Sequence, residues 1–188
     1  METIERILNE TTKRYIEASV PRGRTDFARI ETELMQQINV RCMCANTALH
    51  KDEAKISMPK RLDFARIAMI LCAALYVKAV IPPKGKNPEL MLWNGRVYAP
   101  DQKTIRRAAL ELNACLTDAS LRKIESRMLL ILDTEKPYSG VRYVAYKNGV
   151  LDTTTGKLQS HSPNKIFLSF KKQELDPDKI HFDLIRKD

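Results

Sequence analysis

The first 80 residues carry apolar side chains at the spacing of amphipathic helices. A first helix is expected to end before Pro21, with an apolar face formed by Ile4, Ile7, Leu8 and Tyr15. A second is expected to be capped by Asp26 and to present Phe27, Ile30, Leu34 and Ile38. A third follows Pro59 and presents Phe64, Ile67, Leu71 and Leu75. The pattern predicts a helical region over residues 1–81.

The pentapeptide Asp-Phe-Ala-Arg-Ile occurs twice in this region, at residues 26–30 and 63–67. The repetition predicts two helices that present the same kind of face to a shared core. An apolar run of 15 residues, 67–81, begins at the last residue of the second copy. Lys78 is the one charged side chain within it. A bilayer span needs about 20 residues. The run therefore predicts a buried core helix.

Residues 82–172 begin with a stretch rich in proline and glycine, which ends the helical pattern. Two short apolar segments then flank Asn94 and Gly95, which predicts a β-hairpin. An Asn-Gly pair favours a type I′ turn, in which both central residues have positive φ. Two helices are predicted next, over residues 102–116 and 120–132, with Ile105 and Leu112 on the apolar face of the first.

From Arg142 onward the pattern is typical of strands. Strands are predicted at residues 143–146, 150–151 and 157–159, joined by turns at Asn148-Gly149 and Thr155-Gly156, with a last strand at 166–170. Residues 173–188 are polar, which indicates a linker-like or docking tail. The whole pattern predicts an α+β fold, with a helical N-terminal part followed by a part with β-hairpins and two helices.

The charge of the chain points to a polyanionic partner. The formal net charge is +9, although 44% hydrophobic and 29% charged residues are ordinary for a globular protein. Residues 51–147 hold 18 basic and 10 acidic side chains, so almost all of the excess lies in predicted folded elements. A solvated basic surface is one interpretation of this excess. The other interpretation is a surface that binds a polyanion, and nucleic acid is the commonest partner of that kind.

Basic side chains on the two middle helices and in the strand region are the candidate DNA contacts. Lys123 and Arg127 are four residues apart on a predicted helix, so they share a face. A strip of such side chains neutralises phosphates. The full candidate set is Lys103, Arg106, Arg107, Arg122, Lys123, Arg127, Arg142 and Lys147. Four nearby aromatic residues are candidates for base stacking or for core packing, namely Trp93, Tyr98, Tyr143 and Tyr146.

No motif for catalysis, a cofactor or a metal is found in the sequence. The phosphate-binding G-x-x-x-x-G-K-[ST] loop, G-x-S-x-G and H-E-x-x-H are all missing, and three histidines are scattered. Cys42, Cys44, Cys72 and Cys115 do not form the paired spacing of a zinc site, and they are interpreted as reduced, buried thiols. We therefore expect no catalytic residue, metal or cofactor in this chain. A cytoplasmic protein without a membrane span is expected, since no secretory signal pattern opens the sequence.

A series of motifs resembles the domain just upstream of the superfamily 3 helicase in primase-helicases of phages, plasmids and poxviruses. The series is Trp93-Asn-Gly-Arg-Val-Tyr98, two helices, Tyr143-Val-Ala-Tyr-Lys-Asn-Gly-Val-Leu-Asp152, Thr155-Gly-Lys-Leu158 and His161-Ser-Pro163. The resemblance covers roughly residues 60–178 and is most specific over 143–163. Residues 176–178 also resemble the linker that enters the helicase domain.

The resemblance implies a DNA-replication accessory domain of a mobile-element helicase-primase. Its implied partners are single-stranded or forked DNA, other copies of the full-length protein, and other replication proteins. ATP and Mg²⁺ are implied only for the helicase domain that would follow, where the sequence stops. The matching residues resemble fold-making turns and strands, so no catalytic role is implied for them. The alternative is a non-enzymatic oligomerisation or protein-interaction module with an acidic partner.

Overall fold

The computed structural model describes residues 3–49, 54–138 and 140–176. These residues form an α+β fold with five helices and seven short strands. The helices are α1 (Ile4–Ser19), α2 (Phe27–Thr47), α3 (Phe64–Ala74), α4 (Gln102–Leu112) and α5 (Asp118–Ile131). The strands are β1 (Val77–Val80), β2 (Glu89–Trp93), β3 (Tyr98–Ala99), β4 (Thr134–Glu135), β5 (Tyr143–Tyr146), β6 (Gly149–Asp152) and β7 (Lys157–Gln159).

The chain forms two compact units, each built from two separate segments. Unit 1 comprises the described residues of Met1–Tyr76 together with Gln102–Leu132. Unit 2 comprises Val77–Asp101 and the described residues of Asp133–Asp188. The two middle helices therefore belong to the helical unit, whereas the sequence pattern grouped them with the hairpins after residue 81.

Unit 1 is a helical bundle in which α3 packs against α1, α4 and α5, and α2 packs against α1 and α4. Its helices bury one apolar stripe each, because side chains three and four residues apart lie on the same face. The fully buried side chains include Ile7, Ile30, Leu34, Ile67, Leu71, Ile105, Leu112 and Ile124. The three N-terminal helices and the two middle helices predicted from the sequence are confirmed, although α4 ends at Leu112 rather than at residue 116.

The two identical pentapeptides both start a helix but meet different surroundings. Phe27 is buried, whereas Phe64 is 45% exposed, so the prediction that Phe64 is a core residue is wrong. Arg29 is exposed, whereas the side chain of Arg66 is only 3% exposed. The two copies therefore do not present the same face to a core, since the neighbouring helices decide which positions are covered.

Unit 2 contains a four-stranded sheet with the order β3-β2-β1-β4 and a three-stranded antiparallel sheet with the order β5-β6-β7. In the first sheet, β1 pairs antiparallel with β2 and parallel with β4. One apolar cluster is formed by Val80, Met91, Tyr98 and Ile166, and a second by Val97, Ala145, Val150 and Phe167. The predicted hairpins are confirmed, and side chains from them contribute to both clusters.

Two predictions about regular structure are wrong. Residues 67–81 are not one helix, because α3 ends at Ala74 and Val77–Val80 form the central strand β1. A buried strand can be as continuously apolar as a buried helix, and here only Leu75 and Tyr76 separate the end of α3 from β1. Residues 166–170 form no strand. This segment instead accepts isolated backbone hydrogen bonds, from Tyr98 N to Phe167 O and from Tyr138 N to Ile166 O.

Neither Asn-Gly pair forms the predicted turn. At the first, only Gly95 has positive φ, and the Asn94 side chain accepts hydrogen bonds from the amides of Arg96 and Val97, both at 3.0 Å. This side-chain contact closes a longer turn between Trp93 and Tyr98. At the second, Gly149 lies in β6 opposite Tyr146. A Cβ on Gly149 would lie 2.5 Å from Gln159 O, so close strand pairing requires glycine there.

The described start of the predicted tail is bound to unit 2. The Asn148 side chain donates to Leu175 O at 2.8 Å and accepts from Leu175 N at 3.0 Å. Lys147 N donates to Gln173 O at 3.3 Å. The rest of the predicted tail, residues 177–188, lies outside the described residues.

Candidate nucleic-acid interface

A groove of about 270 Å³ lies in unit 1 between the start of α3 and one face of α5. We call it the α5 groove. Its lining side chains combine three cations, one aromatic ring, one aliphatic group and one hydroxyl. They are Phe64, Arg122, Lys123, Ser126, Arg127 and Leu130. Three of the eight candidate DNA contacts are therefore brought together at one place.

Helix α5 presents these residues because its opposite stripe is buried. Leu121, Ile124 and Met128 are the buried positions of the helix. Positions 122, 123, 126, 127 and 130 then share the other face, since they follow the same helical spacing. The helix begins at a Thr117 N-cap, whose hydroxyl accepts a hydrogen bond from Ser120 N at 3.3 Å. The cap sets where the helix starts, and the buried stripe sets which residues face the groove.

Helix α3 places Phe64 at the other wall of the groove. Phe64 is the first residue of α3, and the Asp63 side chain caps that helix by accepting from Ala65 N and Arg66 N at 3.0 Å each. The Lys123 ammonium lies 6.0 Å from the centroid of the Phe64 ring. Leu130, across the groove, is 79% exposed. The ring and the leucine leave an apolar strip beside the cations.

The cations of the α5 groove are exposed and lack acidic partners in the described part of the chain. Arg122, Lys123 and Arg127 are exposed, and no carboxylate among the described residues forms an ion pair with them. Arg127 lies near enough to Glu5 to help lower the pKa of that carboxyl, although the hydrogen bond from Arg66 is the larger cause. The groove therefore offers positive charge to an anionic ligand.

The candidate residues of α4 have a different role from those of α5. Arg106 Nε donates to Glu125 Oε1 at 2.6 Å, and Arg106 Nη1 lies 3.7 Å from Asp118. The hydrogen bond with Glu125 raises the pKa of Arg106, so its charge is committed to a contact between α4 and α5. Arg107 and Lys103 are exposed, and Arg107 Nε lies 3.5 Å from Glu111 Oε1. None of the three lines the α5 groove.

The remaining two candidates lie in unit 2, and both have acidic partners. Arg142 Nη2 lies 3.5 Å from Asp152, and Lys147 Nζ lies 2.8 Å from Glu174. The pKa of the Asp152 carboxyl is lowered, since hydrogen bonds from the backbone of Thr154 and Thr155 and the charge of Arg142 outweigh the opposing effect of burial. The Glu174 carboxyl has a lowered pKa because it accepts from Lys147.

The aromatic residues considered for base stacking are occupied by contacts within unit 2. The Trp93 and Tyr98 rings pack at a centroid distance of 5.4 Å, and Tyr98 is buried. The Lys165 ammonium lies 3.7 Å from the centroid of the Tyr143 ring. Tyr146 is buried. Sequence reasoning missed Phe64, because its spacing from Ile67 and Leu71 assigns it to a core face.

A larger groove of about 610 Å³ lies along α1 and α2, but its charges are internally paired. Arg41 Nη2 lies 2.6 Å from Glu10 Oε2. Glu33 accepts from Tyr15 Oη at 2.6 Å and from Arg29 Nε at 2.7 Å, and these bonds lower the pKa of Glu33 to about 2. This groove therefore lacks the free positive charge of the α5 groove.

The described residues show neither a metal-binding group nor a membrane-spanning helix. Across residues 3–49, 54–138 and 140–176, no three His, Cys, Asp or Glu side chains are grouped to hold a metal ion. Within the same ranges, no helix has the length and hydrophobicity to cross a bilayer. The prediction of buried cysteines is correct for Cys42 and Cys72 but wrong for Cys44 and Cys115, which are exposed.

Comparison with known proteins adds no assignment: no family model matches the chain, and no curated protein matches its sequence.

Proposed function

We propose that this chain binds DNA through the α5 groove, as an accessory domain of a replication protein. The observation that carries the proposal is the set of three exposed cations, Arg122, Lys123 and Arg127, in one groove with an exposed phenyl ring. Lysine and arginine side chains bind phosphates by releasing condensed counterions. The groove supplies this charge on a helix whose position is held by the core of unit 1.

The replication role rests on the resemblance of residues 143–163 to the domain that precedes superfamily 3 helicases. Under this proposal, the chain performs no catalysis by itself, and ATP and Mg²⁺ act in a helicase domain of the full-length protein. Self-association and contacts with other replication proteins belong to the same proposal. The α5 groove then holds DNA while the motor acts on it.

An acidic protein partner is the second candidate function. The observation that favours it is the exposed apolar surface beside the cations, where Leu130 is 79% exposed and Ile131 is 41% exposed. Exposed apolar groups rimmed by charge are typical of protein-interaction sites. Both candidates use the same groove, so a binding experiment must separate them.

The experiment is fluorescence anisotropy of labelled single-stranded and forked DNA against the purified chain at several salt concentrations. We expect an affinity that falls with salt, with a slope of log K against log[salt] of about −2 for three phosphate contacts on a single strand. Reversing Arg122, Lys123 and Arg127 to Glu should abolish this binding. The matched control reverses Lys13, Arg14 and Arg22, which are exposed basic residues of the same unit and change the net charge equally.

Two outcomes would contradict the proposal. One is the lack of binding to any form of DNA at low salt. The other is an equal loss of binding in the groove variant and in the control variant, which would show that net charge, and not the groove, attracts DNA. Binding of an acidic peptide, in place of DNA, would favour the protein-interaction function.

A further inference from the structure

We propose that Phe64 is a base-stacking residue, so that the α5 groove selects strands with unpaired bases over duplex DNA. This inference rests on the proposed function and deepens it, since it names the residue that contacts the bases of the bound strand. Phosphate contacts alone do not favour a single strand, because a duplex carries the same charged groups at a higher density.

The exposure of Phe64 is the first observation behind the inference. Phe64 is exposed, whereas the other aromatic residues in the described part of the chain are buried or half-buried. Its counterpart Phe27, in the identical pentapeptide, is buried. A single exposed ring is ordinary on a protein surface. What distinguishes Phe64 is that its exposed ring lines a groove together with three cations.

The arrangement around the ring is the second observation. Lys123 lies 6.0 Å from the ring centroid, and Arg122 and Arg127 line the same groove. A nucleotide strand that places a base on the ring would bring its flanking phosphates to these cations. Proteins that bind single strands combine stacking rings with basic grooves in this way. In a duplex the bases are already stacked on each other, and the ring has no free base face to contact.

The helical turn that carries the ring is held in place by contacts with α1. Asp63 caps α3 and accepts from Arg66 Nη1 at 2.9 Å, while Arg66 Nη2 donates to Glu5 at 2.6 Å and to Asn9 at 2.7 Å. These contacts join the first turn of α3 to α1. A binding group that is fixed before the ligand arrives loses less conformational entropy on binding.

The test measures anisotropy with three labelled probes of equal length: a thymidine single strand, a duplex, and an abasic single strand that keeps the phosphates but lacks bases. Replacing Phe64 by Ala should weaken binding of the thymidine strand by about 5- to 150-fold, which is the range for loss of one stacked base. Binding of the abasic strand and of the duplex should stay unchanged.

Two further substitutions separate stacking from general apolar contact. Phe64→Leu keeps an apolar side chain but removes the aromatic face, so it should remain as weak as Phe64→Ala. Phe64→Trp should restore binding, and in a Trp93→Phe background its fluorescence should be quenched when the thymidine strand binds. Met43→Ala, at another exposed apolar site of unit 1, is the matched control and should bind as the unmodified chain does.

The inference is overturned if Phe64→Ala binds the thymidine strand normally, or if it loses abasic and thymidine strands equally. Unchanged binding of the thymidine strand by Phe64→Leu would also overturn it. The contact would then be an ordinary apolar one, of the kind that an acidic peptide with an apolar side chain could make. The proposed function fails separately, when reversal of the groove cations leaves binding of the abasic strand unchanged. Thermal unfolding midpoints equal to that of the unmodified chain verify that each variant is folded.

Discussion

Arg106 on α4 and Glu125 on α5 form an ion pair in which Nε lies 2.6 Å from Oε1. Glu125 is largely buried, and Arg106 is about one-third exposed, so the pair is partly shielded from water. Shielding strengthens such a contact relative to a pair on the open surface. Because of this pair, Arg106 differs in role from Arg122, Lys123 and Arg127, which are exposed cations of the α5 groove. All four are basic residues on the neighbouring helices α4 and α5.

The first prediction concerns this division of roles. Arg106→Ala should lower the free energy of unfolding while leaving DNA affinity nearly unchanged, because it removes the ion pair that joins α4 to α5. Arg122→Ala should do the reverse, with weaker DNA binding and a salt slope smaller by about 1. Chemical denaturation and DNA titrations on the two variants check this pair of outcomes. A larger loss of DNA affinity in Arg106→Ala would place Arg106 in the interface.

The second prediction compares the arginines of the two identical pentapeptides. Arg66 is buried and bonded to Glu5, Asp63 and Asn9, so Arg66→Ala should lower the free energy of unfolding by about 2 to 4 kcal/mol. Arg66→Met should cost less, because its longer side chain fills more of the space that alanine would leave empty. Arg29→Ala, at the exposed matched position, should change the free energy of unfolding much less than Arg66→Ala does.

Denaturant unfolding followed by circular dichroism measures these three variants. Equal destabilisation by Arg66→Ala and Arg29→Ala would mean that the local sequence, rather than the contacts with α1, sets the contribution of the arginine.

The third prediction separates the two glycines that follow asparagine. Gly95 has φ of +95° and open space around its Cβ position, so Gly95→Asn should be tolerated better than Gly95→Ala. Asparagine adopts positive φ more readily than alanine. At Gly149 the limit is space, since a Cβ would meet Gln159 O at 2.5 Å. Gly149→Asn should therefore be at least as damaging as Gly149→Ala. Thermal unfolding midpoints of the four variants rank these effects, and the same ranking at both sites would contradict the assignment.

The fourth prediction concerns acid stability of unit 1. Hydrogen bonds from Arg6 and Arg41 lower the pKa of Glu10 to about 2, and bonds from Tyr15 and Arg29 lower the pKa of Glu33 to about 2, both from an ordinary value of 4.5. Between these values the unfolded chain binds protons that the folded chain does not. Stability is therefore present in full above about pH 5 and falls as the pH decreases toward 2.

Thermal unfolding between pH 6 and pH 3 should show this decline, and Glu10→Gln with Glu33→Gln should flatten it. Those substitutions remove the two carboxyl groups while nearly preserving side-chain size. An unchanged pH slope in the double variant would show that other carboxyl groups cause the acid sensitivity.

Local patterns were sufficient to predict most elements of the fold. The apolar spacing of α1 and α2 and the alternation around Tyr143–Tyr146 each reflect one buried face, which a sequence records directly. The sequence predicts a helix where β1 forms, because a buried helix and a central strand are both continuously apolar. Only the pairing of β1 with β2 and β4 distinguishes the two. Among the candidate contacts, the shared face of Lys123 and Arg127 was predictable, whereas the capture of Arg106 by Glu125 depends on the packing of α4 beside α5.

The amino-acid order alone predicts the five helices and the hairpins, and it places most of the excess positive charge in these elements, because each prediction follows from short-range periodicity and composition. Tertiary packing decided which of those charges are free and which ring is exposed. Phe27 and Phe64 have identical neighbours in the chain, and so do Arg29 and Arg66. Their burial differs because exposure depends on the helices that pack alongside, and those helices come from distant parts of the sequence.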